Sequence, residues 1–407
     1  MSGVLDIENS GLLFIDYSKE IAETLADKTV LFGELRQEQW EGDLKQFPIM
    51  TNRITSMGFT EDGGSFAAPQ SSTLQNGKIG RRFLDMKLEL TDGIMNAARG
   101  GANSVADATV IYMERAMTDL SKYLNLHLYK DGTGVLAEIT DASPASQTTN
   151  VEVDDNRSLW PNALVDVYDV TLATKRGTVT IDVQQKDLTA NGYAQVDFTS
   201  ALPSGTVTGD VLVGSGNLNR AIYGLDILID DGDVHEVTVA DFPTYTSLVL
   251  DNAGVLRDLT PTLFRQLGAG ITAQSGSNGS LNGLSYFSDS WVSMQFEEMY
   301  QGAVRLDAGA TASGAPAQTL TTSSGNIKLI TDVDAKRGTI FAADMSQLTH
   351  YYQKLPAFRP VGGQVFSPSQ NNLAYVATLS GISQLAIHNR NSSGRINDIR
   401  TDATIAF

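Results

Sequence analysis

The residues with the widest chemical range are four histidines, His127, His235, His350 and His388, and they are scattered along the chain. No two stand at the spacing of a shared metal. The chain has no His-Glu-x-x-His, no Gly-x-Ser-x-Gly elbow and no glycine-rich phosphate loop closed by Lys-Ser/Thr. His127 falls in the last turn of a predicted helix, where the dipole favours positive charge, so its expected role is structural. Gly209–Gly216 is rich in glycine but lacks the lysine and the following helix of an anion site, and it reads as a β-turn. Asp230, Asp231, Asp233 and Glu236 offer oxygen ligands for calcium, yet without EF-hand order they read as a solvated loop. Arg81 and Arg82 present two guanidinium forks, either to carboxylates of another subunit or as charges that keep a strand edge from pairing. Lys78 reads as a surface lysine. With no catalytic set, the chain is expected to be no enzyme and to need no cofactor or metal, which leaves architecture to explain it.

The chain is 407 residues long, enough for two or three domains, and 42% hydrophobic, so it folds. It has 29 Lys and Arg against 47 Asp and Glu, a net charge of −18. That balance argues against tight binding of nucleic acid or anionic membrane, and suits a wall that must not stick to packed nucleic acid. Cysteine is absent, which excludes disulfides and thiolate chemistry. No apolar run reaches the ~18 residues of a membrane span, and the first residues lack the pattern of a signal peptide.

The strongest element is a helix expected from Asn103 to Lys130. Ala106, Val110, Met113, Met117, Leu120, Leu124 and Leu128 form one apolar stripe, with Glu114, Arg115, Asp119 and Lys122 mostly off it. Asp131, Gly132 and Gly134 stop it. At about 1.5 Å per residue the rod is roughly 40 Å long. Before it, residues 47–59 read as one leg of a long hairpin. Residues 81–90 read as the return leg, because Leu84, Met86, Leu88 and Leu90 alternate with charged residues. The polar tip between them cannot bury itself, so the hairpin is expected to gain burial across another subunit. Residues 1–42, with Trp40 near the end, read as an arm that docks elsewhere. After Gly134, short β runs at Ala163–Thr171, Thr178–Val183, Tyr193–Phe198 and Asp210–Val213, separated by turn signals, predict an all-β insert over 143–222. Later come a helix opened by Thr260-Pro261, a strand at Leu284–Phe287 and a helix from Ser290 to Tyr300. Strands follow at Ile327–Thr331 and Gly338–Ala342, then a closing pair at Leu373–Leu379 and Ile382–His388 before the polar turn Asn389–Gly394.

The serial order of these pieces resembles the major capsid protein of tailed bacteriophages, the HK97-like fold. The resemblance rests on Phe47–Phe59 and Arg81–Leu90 as the extended loop, Asn103–Asp131 as the spine helix, Tyr223-Gly224-Leu225 with its acidic turn, and Leu373–Arg395. It implies an α+β chain divided as an N-terminal arm (1–42), an extended loop (43–90), a peripheral domain with the spine helix (91–142) and a β insertion domain (143–222). An axial domain (223–350), peripheral-domain strands (351–392) and a C-terminal segment (393–407) complete it. The implied function is self-assembly as hexamers and pentamers into an icosahedral head in the virion, built in the host cytoplasm and enclosing double-stranded DNA without specific binding. Implied partners are further copies, a portal, a decoration protein and a scaffolding protein. The scaffold is expected to be separate, because only about 40 residues precede the hairpin, too few for a long coiled coil. Contacts between subunits are expected at Arg53, Glu61, Asp62, Lys78, Arg81, Arg82, Glu114 and Arg115. An encapsulin-like nanocompartment shell is the alternative, and a secreted β-rich binding module a more distant one. The insert is expected to face outward.

Overall fold

A computed structural model describes residues 29–50, 59–62, 64–65, 68, 74–91, 105–185, 194–275, 283–301, 319–322, 325–359, 367–368 and 374–401. In chain order the elements begin with α1 (Val30–Glu34), β1 (Arg36–Gln39), β2 (Leu44–Met50), β3 (Leu74–Gly80) and β4 (Arg82–Thr91). The long helix is α2 (Val105–Leu128). Next come β5 (Val135–Glu138), β6 (Val151–Val153), β7 (Leu164–Tyr168), β8 (Lys175–Gln184), β9 (Ala194–Phe198) and β10 (Val211–Gly214). The chain continues through α3 (Leu225–Leu228), β11 (Leu248–Leu250), α4 (Pro261–Ser275), β12 (Leu284–Ser288), α5 (Ser290–Gln301), β13 (Thr319–Thr322), β14 (Gly325–Thr331) and β15 (Ile340–Asp344). It ends with β16 (Leu348–Phe358), β17 (Ser367–Pro368), β18 (Ala374–Ile387) and β19 (Gly394–Ile396). Among the described residues no helix is long and apolar enough to cross a membrane.

The rod helix forms where its stripe demands. Met117, Leu120, Leu124 and Leu128 are buried in the largest core cluster. At 24 residues it spans roughly 36 Å. Gly132, at φ +85°, ends it in a conformation that few side chains tolerate, and an added Cβ there would strike the Tyr223 ring at 2.6 Å. The last turns are buried on more than one side, because Leu126 turns away from the main cluster into the core of the insert.

That insert is a closed barrel. Its strands run in the order β5-β10-β7-β8-β9-β6. The ends of this order meet through the bridge Ile139–Val153 and the bond from Asp154 N–H to the Glu138 carbonyl at 3.0 Å. Closure leaves no open edge to aggregate. Four of its strands lie on the predicted β runs; β5 and β6 were not foreseen, because three- and four-residue strands show too few alternations. The module therefore begins at Val135, before the expected 143. Its two ends adjoin, as Asn219 N–H donates to the Thr133 carbonyl at 2.7 Å.

Two expected pairings change. The return leg of the hairpin is β3, which pairs with β2 from Leu44–Gly80 to Met50–Leu74. The predicted return leg, 81–90, is β4, and it pairs along ten residues with β18 instead. Its alternation is real, since Leu88 and Leu90 are buried. Alternation names a face, though, and not the strand alongside. The closing pair Leu373–Leu379 and Ile382–His388 is one strand, β18, flanked by β4 on one side and by β16 and β17 on the other. Gly381, the apparent break, sits inside it because an added Cβ would meet Pro356 of β16 at 3.1 Å. The arm also folds back in part: β1 pairs in parallel with β16, and Trp40 is 4% exposed. Residues 1–28 lie outside the described residues.

The third sheet runs β11-β19-β15-β12-β14-β13. Leu263, Phe264, Leu267, Val292 and Phe296 from α4 and α5 pack on it. Gly394–Ile396 supply β19 to its interior. Between β18 and β19 lies Arg390, wholly buried. Its guanidinium donates to the carbonyls of Leu228 (3.0 Å), Gly232 (2.7 Å), Tyr245 (3.2 Å), Ile227 (3.3 Å) and Asp230. Arg395 adds pairs with Asp226 at 2.9 Å and Asp230 at 2.7 Å.

Two outcomes test this account. Arg390→Met leaves five carbonyls without their donor and is expected to lower stability by at least about 3 kcal/mol, read as a reduced denaturant midpoint. Residues 133–220 expressed alone are expected to unfold cooperatively on heating, since among the described residues the barrel core takes only Leu126 from outside; a non-cooperative melt would refute the module.

Candidate subunit interface

The charged residues singled out for contacts between subunits divide into three groups. Lys78 and Arg81 spend their charge within the chain. Lys78 Nζ lies 2.9 Å from Glu236, and Arg81 pairs with Asp43. Arg82 donates to the Asn219 carbonyl at 2.6 Å and stacks 5.5 Å from the Tyr223 ring. Three residues remain available. Glu61 and Asp62 are exposed in a turn closed by Gly64 N–H to the Glu61 carbonyl at 2.9 Å. Arg115 is 82% exposed and approaches Asp119 at 4.0 Å. Arg53 and the Glu114 side chain lie outside the described residues.

The hairpin is two-faced. Phe47, Ile49 and Ile79 are buried against the body of their own chain, in the cluster that holds the rod helix. Phe47 sits edge-on between His388 at 4.7 Å and His235 at 5.4 Å. The expectation that the hairpin is buried only by another subunit is therefore corrected at its base. A two-stranded ribbon is marginal by itself, and the chain supplies its first support. The opposite face is exposed and mixed: Leu44 at 52% and Leu74 at 59% share it with Pro48 and the polar Gln46, Asn76 and Lys78, and Phe59 beyond it is fully exposed.

Beside the hairpin's foot, α2, β4 and the barrel's root enclose a groove of about 770 Å³. Arg82, Phe83, Tyr123, His127, Trp160 and Arg220 are among its lining. Phe83 stands 62% exposed, an apolar contact without cover. His127 is buried, and neither ring nitrogen has a hydrogen-bond partner among the described residues. Burial, reinforced by Lys130, lowers its pKa to about 4. It is neutral at pH 7, which corrects the expected charge–dipole role: desolvation outweighs the helix end.

The acidic run is met by cations of its own chain. Asp230 faces Arg395, and the loop carbonyls around it are taken by Arg390. Protein guanidinium groups fill the electrostatic role, and among the described residues no group of three His, Asp or Glu is placed to hold a metal. A second polar centre escaped the sequence reading. Asn125 on α2 donates to Asp332 at 3.1 Å and Asp334 at 2.7 Å, and Tyr129 donates to Asp332 at 2.9 Å. Arg157, from the barrel, pairs with Asp155 at 2.6 Å and donates to the carbonyls of Val333 (2.5 Å) and Ala335 (3.0 Å). This lashes the barrel to the loop before β15. Apart from the local Arg157–Asp155 pair, the contacts named here join residues more than 170 apart in sequence, so no local pattern could have shown it.

No protein-family model matches the chain, and no curated protein matches it. Solved structures do. The capsid asymmetric unit of Cyanophage A-1(L) matches with a TM-score of 0.57 at 13% identity, covering 91% of this chain and 93% of that one. The capsid of a native GTA particle matches at 0.50 and 9%, over 92% and 91%. The chain has the fold of phage capsid proteins. The likeness extends over nine-tenths of the chain.

The buried histidines give the capsid fold an acid limit. His127 and His350 are lowered to about 4 and His235 to about 3, each chiefly by burial. Below pH 6.5 the unfolded chain takes up three protons that the folded chain refuses. Stability is thus full above 6.5 and falls as the pH drops toward 4, by about 1.4 kcal/mol per unit for each histidine. Asp289, raised to about 6 by burial, works in the opposite sense, as do Glu138, Asp154 and Asp334, which burial also raises, while His388, lowered by burial, acts with the other histidines. The denaturant midpoint is expected to drop between pH 6.5 and 5; a flat or rising profile would refute the neutral-histidine core.

Proposed function

We propose that this chain is the major capsid protein of a tailed phage, assembling as hexamers and pentamers into an icosahedral head around double-stranded DNA. The observation that carries the reading is the match to a cyanophage capsid over nine-tenths of both chains. A hairpin with its apolar face buried at home and its mixed face uncovered supports it. On this reading α2 with β4, β16 and β18 forms the peripheral domain, and the third sheet with α4 and α5 the axial domain. The hairpin is the extended loop and the barrel the insertion domain.

The uncovered groups suit contacts between copies. The groove holds Arg82 and Arg220 beside apolar Phe83, and the hairpin turn offers Glu61 and Asp62. A neighbour's hairpin would bring acid to base and cover Phe83 together with Leu44 and Leu74. Arg115, Arg53 and Glu114 belong to the same assembly surface. Each such contact is weak, but many linked contacts close a shell firmly. The net charge of −18 suits a wall that lets packed DNA slide. A scaffolding protein, a portal and a decoration protein, the last on the outward barrel, are the further partners of this assembly.

Negative-stain microscopy of the purified full chain over a concentration series tests this reading. Rings, tubes or closed shells are expected. A monodisperse monomer at high concentration, alone and in a lysate of infected host cells, would overturn it. Particles from such cells are expected to carry DNA; an enzyme cargo in its place would make the shell a nanocompartment.

A further inference from the structure

The hairpin leaves the body beside a turn of unusual make. Residues 234–237 form a two-residue hairpin turn: Val234 and Val237 are bridged, and Val237 N–H donates to the Val234 carbonyl at 3.0 Å. Its central residues, His235 at φ 56° and Glu236 at φ 60°, both lie in the left-handed region. That backbone ordinarily takes Asn-Gly, because a Cβ is disfavoured there. Two side chains held in this state need something that holds them.

What holds them is the hairpin. Lys78 N–H, on β3, donates to the His235 carbonyl at 2.9 Å, and Lys78 Nζ pairs with Glu236 at 2.9 Å. The His235 ring meets Phe47 of β2, and its Nε2 accepts from Ile387 N–H of β18 at 3.3 Å. That acceptor role requires a neutral ring, which burial and the neighbouring Arg390 and His388 enforce. One dipeptide therefore touches both hairpin strands and the central strand of the body. Gly77 lets the fit close, since an added Cβ would strike Ile49 at 2.8 Å and Phe47 at 2.9 Å.

We propose that the turn Val234–Val237 is a clasp that fixes the direction in which the hairpin β2–β3 leaves the body, with His235 and Glu236 as its positioning residues. The main-chain bond from Lys78 sets the height of β3 along the body. The ion pair and the ring against Phe47 set its roll. A neighbouring subunit would then meet a hairpin already aimed, instead of ordering it on contact. The clasp belongs to the single subunit and does not depend on the shell reading.

Amide hydrogen exchange of the full, unassembled chain at low concentration tests it. The variants are Glu236→Gln, Lys78→Met, the charge exchange K78E/E236K, and His235→Asn. Asparagine tolerates the left-handed backbone but lacks the ring. Exchange across 45–50 and 74–80 is expected to rise at least fivefold in the first two and in His235→Asn, and to return to within twofold of the parent in the charge exchange. Strands β7 and β8 should exchange as in the parent, which certifies folding. Glu236 and Lys78 are substantially exposed at their tips, so their variants keep the fold. Hairpin exchange unchanged in all four, or raised equally in every strand, would overturn the clasp. Shells that still form alongside such a result would leave the capsid reading standing. Confirmed exchange without shells would do the reverse.

Discussion

One buried guanidinium holds the main body of this protein together. Arg390 stands in the short connection between the long strand β18 and the third sheet, and five backbone carbonyls converge on it. A charge with no water around it is tolerable only when its donors are satisfied, and here the loops from Ile227 to Tyr245 satisfy it. The arrangement works in both directions. The helix α3 and the loop after it gain a common donor. The Tyr245 hydroxyl then donates to the Ile387 carbonyl at 2.8 Å, and the Ser247 hydroxyl to the Arg390 carbonyl at 3.0 Å, so loop and connection are bonded both ways.

From that centre the other features follow in space. The loop that Arg390 gathers runs on into the turn that grips the hairpin, and β18 carries β4 and β16 on its two sides. The rod helix lies against this cluster and ends at the barrel. Arg157 and the Asn125–Asp332–Tyr129 bonds tie the barrel's root and the rod to the third sheet. Rigid ties hold the centre, and apolar Phe83, Leu44 and Leu74 stay exposed at the rim.

Much of the organisation was legible in the residues. The stripe from Met117 to Leu128 is buried as its spacing requires, Thr260-Pro261 opens α4, and the barrel runs are strands. The shortest strands were missed for want of length. β16 was missed because His350, Gln353 and Lys354 interrupt its apolar run, although Leu348, His350 and Tyr351 are buried in the event. Of the charged residues chosen for contacts between subunits, Lys78 and Arg81 serve their own chain. A lysine's spacing says nothing about a carboxylate 158 residues away.

The sequence by itself determined which residues turn inward on each helix and strand, where turns fall, and that the surface is acidic, because these depend on spacing over one or two turns of chain. Only the tertiary structure decided which strand lies beside which, that the hairpin's base is buried at home, and that Arg390 is a structural cation. Those outcomes are set by free-energy differences between alternative long-range pairings. A periodic pattern is equally satisfied by any partner that offers a matching face.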